Sequence, residues 1–168
     1  MNNYFTLENS DVLIKNIFMK LTQNQTLMKC LKYPTKDAMY SPDLTQEEIN
    51  SLYDNSDPKQ IRISFTPFNL SSVDEEKSEI RIFIREFSPN NFVMSNTCFA
   101  IQVISSNQIW LMDEGRMRPL IMIQEILKEI HGADIESIGL VYVDKPIRLY
   151  SYNTYFSGYE IYPEVRSV

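Results

Sequence analysis

Glycine is scarce, with four in 168 residues. No GxxxxGK[ST] or GxGxxG run occurs, so the backbone cradles that hold phosphates are missing. Cysteine is limited to Cys30 and Cys98, far apart and outside any CxxC pair. A zinc site takes about four ligands; two cysteines and one histidine scattered along the chain do not supply them, and both thiols read as small buried hydrophobes. The sole histidine, His131, falls at a helix end, where its cationic form suits the dipole. With no nucleophile beside it and no GxSxG or HExxH, a structural role outranks catalysis. No catalytic residue, metal or cofactor is expected. Positive charge is also short: 16 Lys and Arg against 22 Asp and Glu, a net charge of −6. Binding to duplex DNA draws on clustered Lys and Arg, so reading of nucleic acid is disfavoured. No apolar run approaches the ~20 residues of a membrane span. Residues 1–8 lack the basic region and apolar core of a signal peptide. The expectation is a chain made and used in the cytoplasm, with no membrane contact.

What the chain has is apolar pattern and aromatics. Hydrophobic residues make up 43% and charged residues 23%, with ten Tyr and nine Phe, enough for one domain over 1–168 with a real core. Residues 1–9 read as a loose arm. Ser10-Asp11 offers an N-cap for a helix through Val12, Leu13, Ile14, Ile17, Phe18 and Leu21. A second helix through Leu27, Met28, Cys30 and Leu31 stops before Pro34. The segment 34–60 is an irregular polar excursion holding a capping box, Thr45 with Glu48, and two tyrosines, Tyr40 and Tyr53. Such connections carry contacts to neighbours or simply pack.

The core is expected over 60–168 as sheet, helix and sheet. Strands are read at 60–65, 79–87, 97–104, 109–112, 137–143, 147–152 and 158–165. Leu120, Ile123, Ile126, Leu127 and Ile130 form one stripe of an amphipathic helix, entered at Pro119 and closed by Gly132 as a left-handed cap. The fold class is α+β: a mostly antiparallel mixed sheet packed by an N-terminal helix pair and one central amphipathic helix. Between the first two strands lies a long acidic hairpin loop, 69–79. Its Asp74, Glu75, Glu76 and Glu79 cannot sit unpaired in a core and should face water or a lumen.

Successive strand side chains point to opposite faces. Ile80, Ile82 and Ile84 therefore share one face of their strand, and Arg81, Phe83, Arg85 and Phe87 the other. Arg81 and Arg85 suit a phosphate or carboxylate, or pairing with acids of a neighbouring strand. Arg and aromatics together are typical interface anchors, and the interface reading is preferred. Tyr150, Tyr152, Tyr155, Phe156, Tyr159 and Tyr162 crowd the last third, as an inter-subunit contact or a plain core. Asp113-Glu114 beside Arg116 and Arg118 read as a tight turn at a helix start in preference to an acid pair in a cleft.

The succession of Lys29-Cys30-Leu31-Lys32-Tyr33-Pro34, Asp37-Ala38-Met39, Ile61-Arg62-Ile63, the acidic hairpin, strand 80–87, Ile109-Trp110-Leu111, Gly115-Arg116-Met117-Arg118-Pro119, Ile138-Gly139 and Asn153-Thr154-Tyr155-Phe156-Ser157-Gly158-Tyr159 resembles the neck and tail-terminator proteins of tailed bacteriophages. The resemblance spans most of the chain and carries no catalytic residues. It implies a virion structural protein, made in the host cytoplasm. Identical subunits, commonly six, would form a ring that caps the tail tube and meets the head connector or stopper. DNA would pass without specific binding, with Asp74, Glu75, Glu76 and Glu79 lining the bore. Arg81, Phe83, Arg85, Phe87, Tyr155 and Phe156 are the expected subunit contacts. The rival readings are a small-molecule-binding enzyme and a bacterial protein-binding adaptor.

Overall fold

A computed structural model describes residues 7–68, 75–89, 95–135 and 139–166. The expected α+β class is what the chain adopts. Helix α1 spans Leu7–Thr22 and α2 Gln25–Lys32. The expected N-cap at Ser10-Asp11 is wrong, because the helix already starts at Leu7. Ser10 is buried inside it, and among the described residues its Oγ has no hydrogen-bond partner. The same start takes 7–9 out of the expected arm; residues 1–6 lie outside the described set. Asn24 is the true hinge between the helices. Its Oδ1 accepts from the Leu27 N–H at 2.9 Å, capping α2, while its Nδ2 donates to Glu125 at 3.0 Å and Glu129 at 2.9 Å on the central amphipathic helix. The capping box forms as expected at the start of α3, Gln46–Ser51. Helix α4 spans Arg118–Ile130, and Gly132 follows it at φ +74°, the left-handed conformation that glycine adopts without cost.

Eight strands form one sheet: β1 Ile63–Ser64, β2 Ser78–Pro89, β3 Ser95–Ser106, β4 Asp134–Ile135, β5 Gly139–Tyr142, β6 Arg148–Ser151, β7 Phe156–Ile161 and β8 Glu164–Arg166. The order is β1-β2-β3-β8-β5-β4, and β3 also pairs with β7, which carries β6 on its far side. The long β3 is thus the spine, paired with β2 along one edge and with β7 and then β8 along the other. Three strand expectations fail, the one over 158–165 because it breaks at Tyr162-Pro163 into β7 and β8. Residues 109–112 form a 3-10 turn and a single bridge, Leu111 to Met117. The strand expected over 60–65 shrinks to two residues, and they pair with β2 in parallel, Ile63 opposite Ile80. The connection after it is therefore a crossover, since a hairpin cannot join parallel neighbours.

One face of the sheet meets all the long helices. Leu13, Ile17 and Leu21 of α1, Leu27 and Leu31 of α2, and Ile123, Ile126 and Ile130 of α4 pack against Ile80, Ile82, Phe99, Ile101, Val103, Val141, Ile161 and Val165. Burying a side chain of this size contributes roughly 1.5–3 kcal/mol, so this layer dominates the stability. Arg118 is buried within it, with no exposed surface. Its guanidinium donates to four carbonyls: Ile109 at 3.0 Å, Cys30 and Tyr33 at 2.9 Å, and Thr35 at 2.6 Å. A cation thereby closes the C-terminal end of α2, where the helix dipole is negative, and ties it to the start of α4. Burial, partly offset by the Arg118 charge, pushes the neighbouring Cys30 thiol up to about 11, so it stays protonated.

Candidate functional site

The opposite face of the sheet carries a cluster of Cys98, Ala100 and Tyr162, with Phe83 packed against it, and at its other end Phe68 packs over Phe156 and Tyr152. No helix among the described residues contributes to it. Register defines what stands there. Arg81 lies opposite Gln102, Gln102 opposite Glu160, and Glu160 opposite Arg148, one polar row across β2, β3, β7 and β6. Alongside run Phe83–Ala100 and the row Glu79–Ile104–Gly158–Tyr150.

Glu160 is the hub. Its Oε1 accepts from Gln102 Nε2 at 2.7 Å and from the Tyr152 hydroxyl at 3.1 Å, and its Oε2 accepts from the Tyr162 hydroxyl. The Tyr150 and Tyr162 hydroxyls are 3.3 Å apart. Burial, then the Glu160 charge and its hydrogen bond, hold Tyr152 far above the usual tyrosine range; burial and the Glu160 hydrogen bond do the same to Tyr162. Both phenols therefore stay neutral and act as donors. A carboxylate with three donors aimed at it is a structural pin for the sheet, since its acceptor capacity is already used.

Arg85 stands clear of this network. A register shift between Ile84 and Glu86 makes it the extra residue of a bulge, a device that re-aims a side chain. Its guanidinium lies 4.3 Å from the centroid of the Tyr162 ring, a contact worth about 0.5–1 kcal/mol at an exposed site. Arg85 and Arg148 are both exposed, and neither makes an ion pair among the described residues. Gly158 keeps the layer thin. A Cβ there would lie 2.1 Å from the Val103 carbonyl oxygen, so the glycine answers a close approach of β3.

The expected site residues divide. Phe83 and Arg85 share the open face. Arg81 shares it but is committed: it donates to Glu79 from Nε at 2.9 Å and Nη2 at 2.7 Å, and from Nη1 to the Thr66 and Pro67 carbonyls at 3.3 and 3.2 Å. The side chain of Phe87 lies outside the described residues. Phe156 is fully buried, its ring 5.8 Å from that of Phe68, so it cannot be a surface contact, whereas Tyr155 is exposed. Among the acids, Glu76 is exposed and Glu75 half-buried, and Asp74 lies outside the described residues. Glu79 does not face water: it belongs to β2 and is 3% exposed. Lys77 at 2.7 Å and Arg81 at 2.7 Å neutralise it, which is how a buried carboxylate is tolerated. Reading from sequence missed Arg148 and the Glu160 hub; their only signal is cross-strand register, which composition does not carry.

An apolar groove of about 480 Å³ runs between α1 and the outer edge of β2, lined chiefly by Ile14, Phe18, Tyr53, Phe65, Ile82 and Ile84. Asp11 and Lys15 at its wall are its only charged groups, so it lacks the convergent polar set that orients a small polar ligand. Among the described residues no three His, Cys, Asp or Glu side chains are placed to hold a metal ion, and no helix is long and apolar enough to cross a membrane.

The face thus spends its polar groups on its own sheet and leaves two guanidinium groups, Arg85 and Arg148, outward. Residues 24–165 match the family model described as YomW, and the chain belongs to that family, which is phage-associated. The match begins at the Asn24 hinge and so takes in α2, α4 and the described sheet up to Val165. No curated protein matches the chain, and no solved structure matches it.

Proposed function

We propose that the protein is a structural component of the phage neck, a tail terminator or head–tail joining protein that works by assembling into a ring between tail tube and head connector. The observation that supports this most is the helix-free sheet face, where Arg85 and Arg148 stand exposed above a rigid tyrosine–glutamate network. Arg and Tyr are the residues that anchor protein interfaces, and a face held rigid by internal hydrogen bonds loses little entropy on docking. Membership of a phage-associated family supports the setting. The acidic lining of the bore narrows in this reading to Glu76 and the half-buried Glu75, because Glu79 is paired internally.

The test is negative-stain microscopy and light scattering of the purified protein, alone and mixed with tail-tube protein. Closed circular particles, or end-on decoration of tubes, are the expected result. A monomer at every concentration that also fails to sediment with tubes refutes the proposal.

A further inference from the structure

A ring closes only through a head-to-tail contact between two different surfaces of the same subunit; the open sheet face is one, and the other has to be found elsewhere on the chain. Four of the nine large hydrophobic side chains that stand exposed among the described residues gather at one place: Tyr40, Leu111, Met117 and Leu120. Leu111 and Met117 face each other across the single bridge. Leu120 follows one turn along, its N–H bonded to the Met117 carbonyl at 3.1 Å. Tyr40 arrives from the 34–60 excursion, its hydroxyl donating to Glu114 at 2.8 Å.

The turn that holds this patch is strained. Glu114 has φ +60° and Gly115 φ +71°, and the Arg116 N–H closes the turn on the Asp113 carbonyl at 3.3 Å. Two successive positive φ values make the tight hairpin turn that favours Asn-Gly or Gly-Gly. A glutamate in the first position costs roughly 1–2 kcal/mol, yet it stands there with its carboxylate exposed. Asp113 beside it is exposed too, and neither acid makes an ion pair among the described residues. Arg116 is drawn sideways, its Nη1 3.4 Å from the Met39 sulfur. The tip is thus an apolar patch capped by two unneutralised carboxylates, and the open sheet face bears two unneutralised guanidinium groups, Arg85 and Arg148, beside half-buried Phe83, Tyr150 and Tyr152.

We infer that the 111–117 turn, with Tyr40 and Leu120, docks on the open sheet face of a second copy, Asp113 and Glu114 of one subunit meeting Arg85 and Arg148 of the next. The inference rests on the ring reading and names its two halves. Complementary charge fixes the register of the contact, while Tyr40, Leu111 and Met117 supply the apolar area that a polar contact alone would lack.

The experiment is charge exchange followed by sedimentation velocity over a range of protein concentrations at low salt. A tip variant, Asp113→Lys with Glu114→Lys, and a face variant, Arg85→Glu with Arg148→Glu, are each compared with wild type, with each other mixed, and with all four changes in one chain. Each variant alone should associate at least about tenfold more weakly, since like charges are brought together. The four-change chain should recover association to within about threefold of wild type. Far-UV circular dichroism and Trp110 fluorescence check that each variant is folded, and Leu111→Asn, which changes no charge, should weaken association as well. Wild-type rings that ignore both reversals, or a four-change chain that stays dissociated while folded, overturn the pairing but leave the ring reading standing. A wild type that never associates overturns both.

Discussion

Replacing Arg118 with methionine keeps most of the aliphatic volume and removes a guanidinium that four carbonyls share. Each hydrogen bond to a charged group is worth about 1.5–3 kcal/mol net. Against this stands the cost of holding an ion out of water, several kcal/mol, which the variant no longer bears. The Thr35 carbonyl keeps the Ala38 N–H at 3.3 Å, so the loss falls mainly on Cys30, Tyr33 and Ile109. Together these put the destabilisation at about 3–5 kcal/mol, the range for breaking a buried charged contact from one side. For a chain of this length that lowers Tm by about 10 °C. Arg118→Lys should recover less than half, because an ammonium cannot span the planar fork. Urea unfolding followed by the single tryptophan is the assay, and Trp110 is well placed, its carbonyl accepting from the Arg118 N–H at 2.9 Å. An unchanged m-value would confirm that the midpoint shift reports stability. A loss below about 1 kcal/mol in Arg118→Met would refute the view that this side chain ties α2 to α4, and would mean that burial of the ion cancels its bonds.

The tyrosine network predicts alkaline sensitivity. Tyr152 and Tyr162 have folded pKa values raised above the ordinary 10.0. The stability they contribute is therefore fully present below about pH 10 and is lost as pH rises toward their folded values. Glu160→Gln should weaken that dependence, measured as the urea midpoint from pH 8 to 11, and a slope equal to wild type would count against the hub. Gly158→Ala should cost at least about 3 kcal/mol or yield insoluble protein, because the new methyl meets backbone and not a flexible side chain; a change within about 0.5 kcal/mol would show that β3 and β7 can separate freely.

Much of the helical layer was legible because its signals are local and periodic. The stripe Ile123–Ile130 and the pair Ile80 and Ile82 report burial within a few residues of themselves, and the Thr45–Glu48 box reports a helix start, although Leu120, expected in the stripe, is exposed. Where sequence reading failed, a distant partner decided. Ser10 looks like a cap until the chain before it joins the helix. The acidic stretch looks like a hairpin until Ile63 is seen to pair in parallel with Ile80, which needs knowledge of a strand only two residues long. Glu79 looks solvated until Lys77 and Arg81 close on it from the same strand face.

The site was half legible for the same reason. Alternation places Arg81, Phe83 and Arg85 together, but it cannot say which arginine is spent. That is settled by Glu79, which takes Arg81, and by the bulge, which lifts Arg85 out of phase and over Tyr162. Arg148 joins the face only through a register running across four strands, and Glu160, its opposite number, is already saturated by Gln102, Tyr152 and Tyr162. If Glu160 were free, Arg148 would pair with it and the face would be electrically closed. Because three neutral donors claim the carboxylate first, the sheet is rigid inward and cationic outward. In the proposed ring, that combination would meet the exposed acids and apolar side chains of the strained turn at Glu114.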